Sequence, residues 1–195
     1  MTLKHSYDGL LDLITERTED VERFLHFLET QTNWLTAPAS ISYHMNVEGG
    51  LIKHSLLTTR TLLRIRDTLQ PGFNDETCAI VGLFHDVGKV GAPGQPFYVP
   101  TKDDEGKLTW RVNKDLVAMG QGVRSLYLCA GVLPLTDEEA QAICYHDGQY
   151  VAENLAIKNK ERPLTLLLHF ADMWSSHVVE VSEESNSSQT KEWNP

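Results

Sequence analysis

The stretch Gly82-Leu83-Phe84-His85-Asp86-Val87-Gly88-Lys89 decides how this chain is read. It closes an apolar segment holding Cys78, Ala79, Val81, Leu83 and Phe84, whose density predicts a buried helix that stops near Gly88. Asp75 reads as the N-cap of that helix. A histidine and an aspartate that follow so apolar a run are at least half buried, and a buried carboxylate without a partner is strongly disfavoured. A divalent cation is one partner that balances such a pair. Imidazole with carboxylate suits Mn, Fe, Co, Ni or Zn.

Outward from this stretch the pattern stays helical. Val21, Phe24, Leu25 and Leu28 recur at the spacing of an amphipathic helix. Leu35 to Ser40 is a break, because Pro38 disfavours helix at Ala37. Gly49-Gly50 is a second break. The helix expected after it has an apolar side formed by Ile52, Leu56, Thr59, Leu63 and by Leu62, Ile65, Leu69, and it ends at Pro71-Gly72. Gly91, Pro93, Gly94, Pro96 and Pro100 forbid helix. Phe97-Tyr98-Val99 and Leu108-Thr109-Trp110-Arg111-Val112 flank an acidic, Gly-containing turn and predict a short β-ribbon around 97–112. Val123, Leu126, Tyr127 and Ala130 suggest the buried face of the next helix, with Gly131 at C′. Thr136 with Glu139 is a capping box, Leu135 is placed for a hydrophobic staple, and that helix is expected to end at Gly148. Pro163 opens a last helix with Leu164, Leu167, Leu168, Ala171 and Val178 inward. The expected fold is all-α: about seven helices and one ribbon, one helical domain over residues 1–181, and a polar, disordered tail at 182–195.

Composition narrows the function. The 195 residues include 17 Lys and Arg against 27 Asp and Glu, so the formal charge is 17 − 27 = −10. Long nucleic acid is a poor partner for such a chain, because phosphate backbones need a basic face. No run of about 18 apolar residues offers a membrane span, and Met1 to Asp12 lacks the apolar core of a secretory signal. Cys78, Cys129 and Cys144 contain no CxxC pair and read as reduced thiols. A cytoplasmic protein is expected.

Further ligands for a cation at His85-Asp86 must come from distant segments. His54 and Asp172 both sit among apolar neighbours on other predicted helices. Taken singly, the first reads as a satisfied core histidine and the second as an interhelical hydrogen bond. Taken in order, His54, His85-Asp86 and Asp172 resemble the H…HD…D pattern of the HD superfamily of metal-dependent phosphohydrolases. Ala37-Pro38-Ala39-Ser40, His44 and Gly49-Gly50-Leu51-Ile52-Lys53-His54-Ser55 look like that family's opening signature. His85-Asp86-Val87-Gly88-Lys89 matches its central HDxGK motif, and His169-Phe170-Ala171-Asp172 is similar to its closing segment. The resemblance spans about residues 35–180. It is greatest to small stand-alone HD hydrolases and to the HD domain of a bacterial 3′-to-5′ exoribonuclease.

The resemblance implies an all-helical fold with a divalent transition metal (Mn, Fe, Co, Ni or Zn, with Mg as a substitute) held between helices. His54, His85, Asp86 and Asp172 would be its ligands. It implies hydrolysis of a phosphomonoester or phosphodiester, a nucleotide above all, by a metal-activated water. Asp86, Lys89 and His146 would carry the chemistry. His44, Lys89, Gln121, Arg124 and His169 would face the substrate. Trp110, Tyr98 and Tyr150 are available for stacking a base. His5, His26 and His177 are assigned to the surface. One departure matters. Where similar small HD proteins read Gly-His-Gly and then an acid, this chain has Gly120-Gln121-Gly122-Val123. A neutral amide is a poor ligand beside imidazole, so one metal per chain is expected. Two other readings compete: a nucleotide-binding sensor without catalysis, and a di-iron oxygenase, against which Gln121 counts. The sequence leaves the oligomeric state open.

Overall fold

The computed structural model describes residues 3–41, 45–70 and 72–181. His44 and the segment 182–195 therefore lie outside the described residues. Leu3–Leu11 form α1, Thr18–Gln31 α2, Gly50–Leu69 α3 and Asp75–Phe84 α4. A 3-10 turn at Val87–Val90 follows, then the antiparallel hairpin of β1 (Tyr98–Lys102) and β2 (Leu108–Val112). Gln121–Ala130 form α5, Asp137–Tyr145 α6 and Pro163–Trp174 α7. Two short 3-10 segments, Gly148–Tyr150 and Ala152–Ile157, join α6 to α7, and a π-helical turn at Ser175–Val179 extends α7. Seven α-helices and one ribbon among the described residues agree with the expected all-α fold of about seven helices and one ribbon. No helix among the described residues is long and apolar enough to cross a membrane.

α3 is the axis of the assembly, with α4 on one side and α7 on another. α6 bridges α5 and α7. Between them Phe24, Leu28, Trp34, Leu62, Phe84 and Leu168 are fully enclosed. Each such side chain contributes about 1.5–3 kcal/mol by leaving water. Phe24 and Phe84 meet edge to face at 5.1 Å, which locks α2 onto α4.

Local signals account for most boundaries, with corrections. The α4 cap is Asn74, whose Oδ1 accepts the Thr77 amide at 2.7 Å, so Asp75 is the first helical residue rather than the cap. α4 stops at Phe84 and not near Gly88, and α6 stops at Tyr145 and not at Gly148. Both ends tighten into the turns that hold the site. Thr136 and Glu139 form the capping box reciprocally. Pro163 sits in the first turn of α7, where its missing N–H costs nothing. The far end of α3 differs from expectation, since Leu69 is exposed and Arg66 is buried in its place, bonded to Phe73 O and Asp75.

α5 turns a different face inward than expected. Val123 is 48% and Tyr127 68% exposed, whereas Gly122, Ser125 and Cys129 are buried. The cause is close approach. A Cβ on Gly122 would stand 2.1 Å from the Cys144 carbonyl of α6, and Ser125 Oγ accepts the Gly88 amide at 2.8 Å. Backbone contact selects small side chains there, and the larger apolar ones turn outward. Gly131 keeps a right-handed φ of −68°, so α5 does not end on a left-handed glycine. Val178 is exposed, also against expectation.

Candidate metal centre

Four segments converge at the junction of α3, α4, α6 and α7. His54 comes from the second turn of α3, His85 and Asp86 from the residues after α4, His146 from the residue after α6, and Asp172 from α7. Because the chain tightens into a 3-10 turn after Asp86, Lys89 folds back on it, with Nζ 2.5 Å from Asp86 Oδ2. Gln121, first residue of α5, donates from Nε2 to Asp86 Oδ1 at 2.6 Å. His54, His85, Asp86 and His146 are buried.

The histidines are oriented by one device. His85 Nδ1 donates to Gly82 O and His146 Nδ1 to Ile143 O, each at 2.8 Å. His169 Nδ1 donates to His146 O, also at 2.8 Å. His54 Nδ1 lies 2.7 Å from the Glu180 carboxylate. Carbonyl and carboxylate oxygens only accept, so each Nδ1 holds a proton and leaves Nε2 to the interior of the cluster. There the Nε2 atoms of His54 and His85 are 3.1 Å apart. His54 Nε2 is also 3.1 Å from Asp172 Oδ1 and 3.4 Å from Asp86 Oδ2. His146 Nε2 is 3.4 Å from Asp86 Oδ1.

Burial and neighbouring charge compete at each of these groups. Burial works against a charged His54, but hydrogen bonds to Asp172 and Glu180 hold its pKa up at about 10. Burial also disfavours a charged His146, yet Asp147 and Asp86 raise it to about 9. Burial prevails at His85, which falls to about 4 with His146 and His54 beside it, despite Asp86 and Asp172. The Asp86 carboxyl is held far below the ordinary range because Lys89, His85 and His146 outweigh its burial. Asp172 is lowered likewise, its burial outweighed by His54. Burial would depress Lys89, but Asp86 raises it. Protons on two imidazoles thus stand in the cluster of acids where one divalent cation would serve.

The donor set fits such an ion. One ligand atom each from His54, His85 and Asp86 lie within 4.8 Å of one another, and so do those of His85, His146 and Asp172. Donor atoms about 2.1 Å from a common ion stand about 3.0–3.4 Å apart, depending on the ligand angle, and the His54–His85 and His54–Asp172 separations lie in that range. The carboxylate on His54 Nδ1 is the arrangement that fixes a ligating imidazole in other metal sites.

The expected ligands His54, His85, Asp86 and Asp172 are brought together, and Lys89, His146, Gln121 and His169 lie against them. Lys89, His169, Asp86 and Asp172 help to line a cavity of about 180 Å³. Arg124 does not line it; its guanidinium is buried and donates to the Val117 carbonyl. Tyr150 lines the cavity, while Tyr98 is buried at the root of the ribbon and neither it nor Trp110 reaches the lining. His177, assigned to the surface, is exposed but stands at the cavity wall. The sequence reading missed Asp147 and above all Glu180. In a regular helix Glu180 would point about 80° away from Asp172. The π turn takes up one extra residue and rotates it back toward His54. An acid just beyond a helical apolar run was the only available signal.

A family model described as the HD domain matches residues 51–174. No curated protein and no solved structure matches the chain, so the likeness to the exoribonuclease HD domain stands on the motifs alone.

Proposed function

The chain belongs to the HD-domain family, and from that premise we propose that it is a phosphohydrolase that cleaves a phosphomonoester or phosphodiester of a nucleotide with one divalent transition metal. The observation that carries this reading is the 3.1 Å approach of His54 Nε2 to both His85 Nε2 and Asp172 Oδ1 beside the Asp86 carboxylate. His54, His85, Asp86 and Asp172 hold the ion. When bound, it supplies Lewis acidity toward a phosphoryl oxygen and a more acidic water.

The protein's own groups do the rest. Glu180 keeps the proton on His54 Nδ1, and Gly82 O and Ile143 O do so for His85 and His146. Every Nε2 is thereby oriented before substrate arrives. Lys89 holds positive charge between Asp86 and the cavity, where a phosphoryl group enters. His146, whose Nε2 faces Asp86 Oδ1 at 3.4 Å, is assigned the role of proton donor to the leaving oxygen. The Gln121 amide donates to Asp86 Oδ1, which supports the reading of one ion rather than two.

Elemental analysis of protein purified without chelator should find about one Mn, Fe, Co, Ni or Zn per chain. Phosphate release from nucleotides should fall on the order of 10³-fold in Asp86→Ala, the scale of the charge stabilisation a metal supplies. Undiminished release in that variant would overturn the mechanism. Nucleotide binding without turnover under every metal would favour the sensor.

A further inference from the structure

A second and larger cavity, of about 340 Å³, adjoins the one at the metal centre. The two meet at Tyr150 and His169, which line both. Their junction depends on Gly148, which has a φ of +59°. Its turn lies so close to the His169 ring that a Cβ would stand 2.5 Å from Cε1. The chain between α6 and α7 is thus built to place this cavity one aromatic ring away from Lys89 and Asp172.

The two cavities differ in chemistry. The one at the metal centre is lined by Lys89 and histidines together with Asp86, Asp147 and Asp172, whose charge Lys89 and a bound cation would offset. The larger one has walls from Tyr145, Tyr150, Ile157 and Leu166, with Gln149 and Glu161 on its polar side. Gln149 Nε2 donates to Glu161 Oε1 at 3.1 Å, which steadies the carboxylate. No lysine or arginine occurs among the described residues that line it. Tyr150 is 79% exposed, and its hydroxyl contacts Met173 Sδ at 3.7 Å, which restrains the ring. With Glu161 as its one carboxylate and neither lysine nor arginine among the described lining residues, the larger cavity offers further phosphate groups no counter-charge. An exposed tyrosine face accepts a planar ring, and a carboxylate accepts N–H donors.

We propose that this cavity is the subsite for the organic group of the substrate, and that it takes an uncharged planar ring bearing N–H donors. The preferred substrate is then a nucleobase-bearing ester with a single phosphate, and nucleoside di- and triphosphates are discriminated against. The inference rests on the phosphohydrolase reading above and goes beyond it by assigning the ring to Tyr150 and Glu161.

The test compares kcat/KM for AMP, ADP, ATP and ribose 5-phosphate with Mn²⁺. AMP should exceed both ribose 5-phosphate and ATP by about tenfold or more, the scale of one base–aromatic stack. Tyr150→Ala should lower the ratio of AMP to ribose 5-phosphate by about tenfold, and Tyr150→Phe should restore it. Glu161→Lys should move preference toward ADP. A ratio unchanged in Tyr150→Ala, or ATP used as well as AMP, would overturn the assignment. If no ester is hydrolysed under Mn²⁺, Co²⁺, Ni²⁺ or Zn²⁺, the hydrolase reading fails, and calorimetric binding of AMP then judges the subsite alone. Binding weakened in Tyr150→Ala supports it, and binding equal to wild type removes it.

Discussion

Arg17 and the centre at Asp86 are both clusters of charge enclosed by apolar helices, but their donors and acceptors are matched in different ways. Arg17 bonds Glu76 through Nε at 2.6 Å and Glu139 through both terminal nitrogens at 2.8 Å. The second oxygen of Glu76 accepts the amides of Thr15 and Glu16, and Glu139 accepts that of Thr136. Donor meets acceptor throughout, and both glutamates sit in the first turns of helices, where negative charge is favoured. At Asp86 two imidazole Nε2 atoms face each other, and the carboxylates of Asp86 and Asp172 stand against the same imidazole nitrogen. A matched cluster ties the loop before α2 to α4 and α6. An unmatched one is ready for an ion.

The largest test of this contrast removes the centre of the matched cluster. Arg17→Met leaves two buried carboxylates uncompensated and should cost about 3–5 kcal/mol in urea unfolding. A loss below about 1 kcal/mol would deny the difference between the clusters. Next in size is ion binding. Mn²⁺ at about 100 times its Kd should add about 2.7 kcal/mol, or roughly 5–10 °C in Tm, and EDTA should reverse it. The same gain in the Asp86→Ala variant would place the ion elsewhere. Glu180→Gln should then weaken metal affinity by about 10–100-fold in a chelator competition, with a much smaller effect on unfolding of the metal-free protein.

The smallest effect is acid sensitivity. Burial alone would raise Glu76, but the Glu16 amide and Arg17 hold it below the usual range. Glu139 is lowered too, its burial outweighed by Arg17 and the Thr136 amide. Groups whose folded pKa lies below the unfolded value of about 4.3 stabilise fully above that pH and lose this contribution as pH falls through the folded value. The wild-type urea midpoint should therefore drop between about pH 5 and pH 3. In Arg17→Met the guanidinium no longer opposes burial while the backbone amides still do, so both carboxyls rise toward the ordinary range and the drop should be smaller. An equal slope in both proteins would disconnect Arg17 from the acid transition.

What the sequence made legible follows from the same distinction. His54, His85, Asp86 and Asp172 were readable because each is a polar residue inside an apolar helical pattern, and their order carries a family signature. The hairpin was readable from its turn, and α6 from Thr136 and Glu139. The Arg17 network was not, because an arginine and two glutamates far apart in sequence look like ordinary surface charge until the fold joins them. The inward face of α5 was misread because backbone approach at Gly122 and Ser125 overrode side-chain hydrophobicity. Arg124 was read as a phosphate ligand because its burial has no local signal. Glu180 was lost to a change of helical pitch that no residue type announces.

The bond between His54 and Glu180 spans 126 positions of sequence. Closing so long a loop is entropically costly and cannot precede the docking of α7 on α3. A nascent chain released only as far as Asp147 holds His54, His85, Asp86 and His146 but neither Asp172 nor the carboxylate that orients the first imidazole. On the proposed reading, high-affinity ion uptake would be postponed until α7 has been made and packed, and metal occupancy would then record completed folding.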